Sequence, residues 1–263
     1  MKTCVNCGHE SVFRHCPECG QKLDVKRVTF RGIIEEFFSK WIGFDNQFGR
    51  TVIDMTVRPG QVINSYLKGN RTKYLGPLGY VVIMTALLII SFDLFGLEVS
   101  DFLKVNSETF NPNQEMTVQQ AELQQKLMEF MARNFRFLAA LMIPFLAISL
   151  GWFYRVEKLN YIERVVVSTY MSCQAMWITM IMLGVLAFTG HLLNVTGIIL
   201  TILFYSYILQ KTFPRKNYLI ALLKSLGVYV GAVLVLILLM IIVGFVVGLI
   251  FAILNPEMIQ PQG

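Results

Sequence analysis

Charge is scarce in this chain. Only 15% of its 263 residues are Asp, Glu, Lys or Arg, against about 25% in ordinary soluble domains, while 55% are hydrophobic. A soluble globular body of this length is excluded, because too few polar side chains remain to cover a core. Histidine is scarcer still, at 3 residues. No HExxH, GxSxG or phosphate-binding glycine loop occurs, so the sequence offers no template for a metalloprotease, a serine hydrolase or a P-loop enzyme. No secretory leader is expected at the start, which carries Cys and charge, with the first apolar run only after Tyr74. That run is therefore expected to act as its own uncleaved signal.

What is present instead is long apolar sequence. Leu78 to Phe95, Phe135 to Tyr154, Val165 to Phe188, Leu192 to Leu209 and Leu226 to Leu254 each meet the roughly 17 to 25 helical residues that a hydrocarbon core demands. The predicted fold class is all-α integral membrane, a five-span helical bundle. Lys and Arg set its orientation, since short basic loops stay cytoplasmic. Met1 to Gly76 carries 12 basic and 7 acidic residues, whereas Gly96 to Asn134 carries 3 basic and 6 acidic. Arg155, Lys158 and Arg164 fill the next connection, Thr189 to His191 has no Lys or Arg, Lys211, Arg215, Lys216 and Lys224 fill the one after, and the tail has none. This alternation predicts a cytoplasmic N-terminus and an outer C-terminus. The net charge of +6 is thus mainly a topology signal.

Ahead of the first span stand Cys4-Val5-Asn6-Cys7-Gly8 and Cys16-Pro17-Glu18-Cys19-Gly20. Each is a CxxCG knuckle whose thiolates face one site, with Gly permitting the strained turn. Cys4, Cys7, Cys16 and Cys19 together suit a tetrahedral Zn2+ in a structural, closed shell with no open position for catalysis. His9 and His15 are alternative ligands, and two disulfides or a redox dithiol pair are alternative chemistries, disfavoured by a reducing cytoplasm. Cys173 lies within the third span and reads as a small buried residue.

From Phe30 the stripe Phe30, Ile33, Ile34, Phe37, Phe38 and Trp41 has helical spacing, with charges off it. Its aromatic face is expected either at the membrane interface or packed on the protein's own spans, where Phe30, Phe37, Phe38 and Trp41 would dock the ribbon; Arg71 and Tyr74, just before the first span, are expected at headgroup level. Asp45 is expected to cap a helix that Pro59-Gly60 stops, and a further short helix follows over Gln61 to Leu67. The chain then divides into a ribbon over 1–22, a basic linker with amphipathic juxtamembrane helices over 23–76, spans over 77–254 and a tail over 255–263. The last span carries the small-xxx-small pairs Gly227/Gly231 and Gly244/Gly248, which permit close helix contact.

The order CxxCG, CxxCGQ, Thr29-Phe30, Phe37-Phe38, Thr51, Arg58-Pro59-Gly60, Tyr66-Leu67, Gly69, Arg71, Tyr74 and Pro77 resembles an uncharacterised bacterial multi-pass membrane family with an N-terminal zinc ribbon. Asn160-Tyr161-Ile162-Glu163 and Tyr207 through Leu223 extend the likeness. The resemblance implies a bacterial inner-membrane location and a domain of unknown function, and it implies no activity.

Polar residues at membrane depth would mark a chemical or transport path. The candidates are Asp93 and Arg136, Ser172, Cys173, Gln174, Asn194 and Thr201, while Glu35, Glu36, Glu157 and Glu163 read as solvated interface or loop carboxylates. The resulting expectation is a non-catalytic scaffold, sensor or regulatory adaptor. Its partners would be membrane lipids, a protein bound through the ribbon and a second copy through the last span; nucleic acid is disfavoured, since Phe13 is the ribbon's one stacking aromatic. An oligomeric channel or transporter is the alternative reading. A lipid- or envelope-modifying enzyme ranks below both.

Overall fold

The computed structural model describes residues 1–23, 29–31, 33, 47–100, 102–103, 118–191, 194–214 and 217–254. The chain is mostly helical. A two-stranded antiparallel sheet opens it, β1 (Lys2–Thr3) pairing Lys2 with Ser11 and Thr3 with Glu10 of β2 (Glu10–Ser11). Eight α-helices follow among the described residues: α1 (Gln47–Val57), α2 (Pro59–Leu67), α3 (Pro77–Leu94), α4 (Val118–Arg133), α5 (Phe135–Phe153), α6 (Tyr161–Thr189), α7 (Asn194–Thr212) and α8 (Tyr218–Leu254).

Among the described residues, four helical stretches are long and apolar enough to cross a membrane: Pro77–Leu94, Tyr161–Thr189, Val195–Thr212 and Tyr218–Ile242. The second expected span takes the form of a shorter apolar stretch, Ala140–Phe153, within α5. Pro144 lies inside α5, where it removes one backbone donor.

Helix boundaries follow local chemistry. Helix α6 starts four residues before the apolar run because Asn160 and Glu163 form a capping box: the Glu163 N–H donates to Asn160 Oδ1 and the Asn160 N–H donates to Glu163 Oε2, each at 2.8 Å. These bonds satisfy donors that a helix start leaves open. Glu163 is buried, which corrects its reading as a solvated charge. Pro59-Gly60 does not merely stop α1. Pro59 sits in the first turn of α2, where its missing N–H costs nothing.

Helices α3, α6 and α8 leave the end of the bundle that carries the N-terminal segment, and α5 and α7 return to it. Helices α1 and α2 pack across that end, against α6 and α7. The core there is aromatic and polar as well as aliphatic: Tyr66, Tyr74, Tyr80 and Tyr170 are fully buried beside Met55, Ile63 and Met84. Helix α8 packs most extensively on α5. A Cβ on Gly227 would meet the Phe153 ring, and one on Gly231 would stand 2.4 Å from Ser149 Oγ, so this small-residue face is used within the chain to bring two helices close.

Candidate metal centre

The two knuckles are built alike. In the first, the Gly8 N–H donates to the Cys4 carbonyl and the Cys4 N–H to the His9 carbonyl, both at 2.9 Å; in the second, Gly20 donates to Cys16 at 2.9 Å and Cys16 to Gln21 at 2.8 Å. Gly8 and Gly20 hold φ of 78° and 70°, a left-handed conformation in which a side chain would be strained. Each turn thus brings its two sulfurs inward. Cys4 and Cys16 are buried, and Cys7 and Cys19 lie nearer the surface.

All four sulfurs lie within 4.8 Å of one another. The Cys4–Cys19 and Cys7–Cys16 pairs are each 3.5 Å apart, and no disulfide joins any of them. A tetrahedron with metal–sulfur bonds of about 2.3 Å has edges of about 3.8 Å, so the donor set fits a four-coordinate soft or borderline ion. The electrostatics agree. Burial works against the Cys19 thiolate, yet hydrogen bonds from the Asn6 side chain and the Gln21 backbone N–H bring it down to about 6. The His9 backbone N–H favours the Cys7 thiolate, but lost hydration and the neighbouring Cys16, Cys19 and Cys4 sulfurs outweigh it and push Cys7 up to about 12. Clustered sulfurs ionise at one another's expense, and a divalent cation among them would relieve that competition.

The ribbon is seated on the helical bundle by polar contacts. Gln21, 2% exposed, donates from Nε2 to the Gly69 carbonyl at 2.8 Å. Its Oε1 accepts from the Thr72 hydroxyl at 2.9 Å and the Arg71 N–H at 3.3 Å. Beside it, Asn70 Nδ2 donates to Asn6 Oδ1 at 3.0 Å. Sequence reading missed these residues because a Gln or Asn carries no sign of a partner some fifty positions away. Of the expected docking stripe, Phe30 is 67% exposed, and Phe37, Phe38 and Trp41 lie outside the described residues.

The loop that receives the ribbon is itself held by α1. Gln47 Nε2 donates to the Thr72 carbonyl at 2.7 Å, and the Leu75 N–H donates to Thr51 Oγ1 at 2.9 Å. Tyr74, expected to face the headgroups, is fully buried and donates to Asp54 Oδ2 at 2.7 Å; Arg58 Nε pairs with Asp54 Oδ1 at 2.9 Å. Burial alone would raise the Asp54 carboxyl, but the Tyr74 and Arg58 hydrogen bonds and the Arg58 charge hold it below its usual range. Burial, then the hydrogen bond to and charge of Asp54, push the Tyr74 hydroxyl well up.

A second polar chain ties α1 and α2 to α3, α6 and α7. Gln174 Nε2 donates to Thr56 Oγ1 at 2.7 Å, its Oε1 accepts from the Tyr80 hydroxyl, and the Tyr170 hydroxyl donates to the Leu75 carbonyl at 2.6 Å. Asn64 Nδ2 donates to the Thr212 carbonyl at 3.0 Å and the Tyr207 hydroxyl to the Val57 carbonyl at 2.7 Å. Gly60 lets α2 touch the end of α7 backbone to backbone: a Cβ there would lie 1.9 Å from the Lys211 carbonyl oxygen. Arg71, Lys73, Arg164, Lys211 and Lys224 stand over the rings of Tyr66, Tyr74, Tyr161, Tyr207 and Tyr154 at 5.1 to 6.0 Å. Cations thus gather at the ribbon's end of the bundle. Of the other polar candidates, Asp93 is exposed, Thr201 bonds its own helix at the Gly197 carbonyl, and the side chains of Arg136 and Asn194 lie outside the described residues, as do Glu35 and Glu36.

A family described as "Protein of unknown function (DUF3667)" matches residues 45–89. The matched stretch holds α1, α2 and most of α3, and with them Thr51, Asp54, Arg58-Pro59-Gly60, Tyr74 and Tyr80. It is similar to an uncharacterised domain family, which brings no activity with it. No curated protein matches the chain, and no solved structure does.

Proposed function

We propose that the chain is a five-span protein of the bacterial inner membrane, with a cytoplasmic N-terminus and an outer C-terminus, whose ribbon over 1–22 holds one structural zinc through Cys4, Cys7, Cys16 and Cys19. It acts without catalysis as a scaffold, sensor or regulatory adaptor. The juxtamembrane segment over 23–76 seats the ribbon on the spans over 77–254, and Phe30, Phe37, Phe38, Trp41 and Arg71 meet the lipid interface.

The observation that carries this reading is the seating of a four-thiol ribbon, through Gln21 and Asn6, on the loop that leads into the first span. Such a unit is built to present a fixed surface. Its free face offers Val5, Val12 and Phe13, all exposed, as a contact area for a protein partner. The cations over tyrosine rings at the same end support its placement on the cytoplasmic side. Glu163, Asp54 and Gln174 are all engaged in structural pairs, which leaves an enzymatic reading little to work with. Because Gly227 and Gly231 are occupied by α5, a second copy would use other faces of α8.

A photo-crosslinking residue at Phe13 of the full chain tests this in cells. It should capture a defined protein partner in the parent and lose it in Cys16→Ser; no partner in either contradicts the adaptor reading. Reporter fusions at Asn113 and Gly263 should signal from outside and those at Leu159 and Lys216 from the cytoplasm. A cytoplasmic signal from Gly263 contradicts five spans.

A further inference from the structure

Two residues of the ribbon face both ways. The Gln21 carbonyl accepts from the Cys16 N–H at 2.8 Å, and Asn6 sits between Cys4 and Cys7. The same Asn6 accepts from Asn70 at 3.0 Å, and the Gln21 side chain bonds Gly69, Arg71 and Thr72. Asn6 lies between the cysteines of the first knuckle, and Gln21 follows the second, so the spacing between them depends on the two knuckles being held together. The described apolar cluster of the ribbon is only Cys4, Cys16 and Leu23, with Cys19 packed against it. Such a cluster cannot fix that spacing without a cross-link.

We propose that the four-cysteine site is a latch: metal binding sets Asn6 and Gln21 at the separation that fits Gly69 to Thr72, and metal loss releases the ribbon from the segment leading into the first span. This rests on the metal reading above. It adds that metal occupancy is communicated to the membrane-spanning part of the chain, through residues that are not ligands. By linkage the communication is reciprocal, so docking must also tighten metal binding by the same factor.

The Arg71 N–H, which donates to Gln21 Oε1, is the reporter. Hydrogen exchange at Arg71 in the full zinc-loaded chain, in detergent or nanodiscs, should be slow and should speed up about tenfold or more when a zinc chelator strips the metal. Gln21→Ala should give the fast rate with zinc still bound. Asn70→Ala alters only the receiving loop, yet competition with a chromophoric chelator should show it binding zinc about tenfold more weakly, within the range typical of outer-shell partners. Full metal content with Arg71 exchange unchanged by chelation, or unchanged zinc affinity in both Gln21→Ala and Asn70→Ala, overturns the latch while leaving the metal site standing. A chain that takes up no metal after incubation with zinc chloride overturns both.

Discussion

In the ribbon the described buried apolar side chains are Cys4, Cys16 and Leu23, whereas the end of the bundle just beneath encloses Tyr66, Tyr74, Tyr80, Tyr170, Met55, Ile63 and Met84. The first has almost no core. The second has a dense core threaded with polar groups that are paired to one another, as at Asp54, Thr51 and Gln174. With a metal in the four-cysteine site, as proposed, two adjacent regions of one chain would depend on different physics: cross-linking of four sulfurs in one, shape and hydrogen-bond satisfaction in the other. Each should fail without the other failing.

The largest effect is expected at the sulfurs. Cys16→Ser, or chelation of the parent, should abolish the ribbon's structure, since metal binding in such a unit is its folding energy. Helix content by circular dichroism should stay near the parent value. Loss of helix along with the ribbon would break the contrast.

In the bundle the strongest single disruption should come at Gly60. A side chain there meets the Lys211 carbonyl, which is backbone and cannot rotate away, so Gly60→Val should cost on the order of 3 kcal/mol. Thermal unfolding in detergent should show the drop, with metal content unchanged. Asp54→Ala comes next, at about 2 kcal/mol, because it strands the buried Tyr74 hydroxyl. Asn160→Ala, which removes half of the α6 capping box, should cost about 1 kcal/mol.

The Asp54–Tyr74 pair also sets a pH window. Asp54 is held below its unfolded value of about 3.9, so its contribution is present above that pH and lost as pH falls through the folded value. Tyr74 is held above about 10, so its contribution is present below that pH and lost as pH rises through the folded value. Stability of the parent should be flat between about pH 5 and 9 in this respect, and the acid limb should be shallower in Asp54→Asn.

How much of this was legible beforehand depends on the range of each interaction. The doubled CxxCG is local, so the four cysteines could be read directly and do converge. The apolar runs are local too, and helices occupy each of them. The Asn160-x-x-Glu163 box is an equally local signal, and it accounts for the burial of a carboxylate expected to be solvated. Gly60 reads as part of a helix stop, yet it is needed for contact with the far end of α7. Gln21 and Asn6 were invisible for the same reason: their partners at Gly69 to Thr72 are set by the fold. Tyr74 had the composition of a headgroup anchor, and only the position of Asp54 on α1 shows that it turns inward.

On the reading proposed above, the ribbon is held by a metal rather than by sulfur–sulfur bonds or by its own packing. Elemental analysis of the full chain, purified under anaerobic conditions and paired with a thiol count, tests it directly. About one zinc per chain is expected, with Cys4, Cys7, Cys16 and Cys19 unreactive until the metal is stripped. Metal-free protein with Cys4–Cys19 or Cys7–Cys16 joined as a disulfide would contradict it.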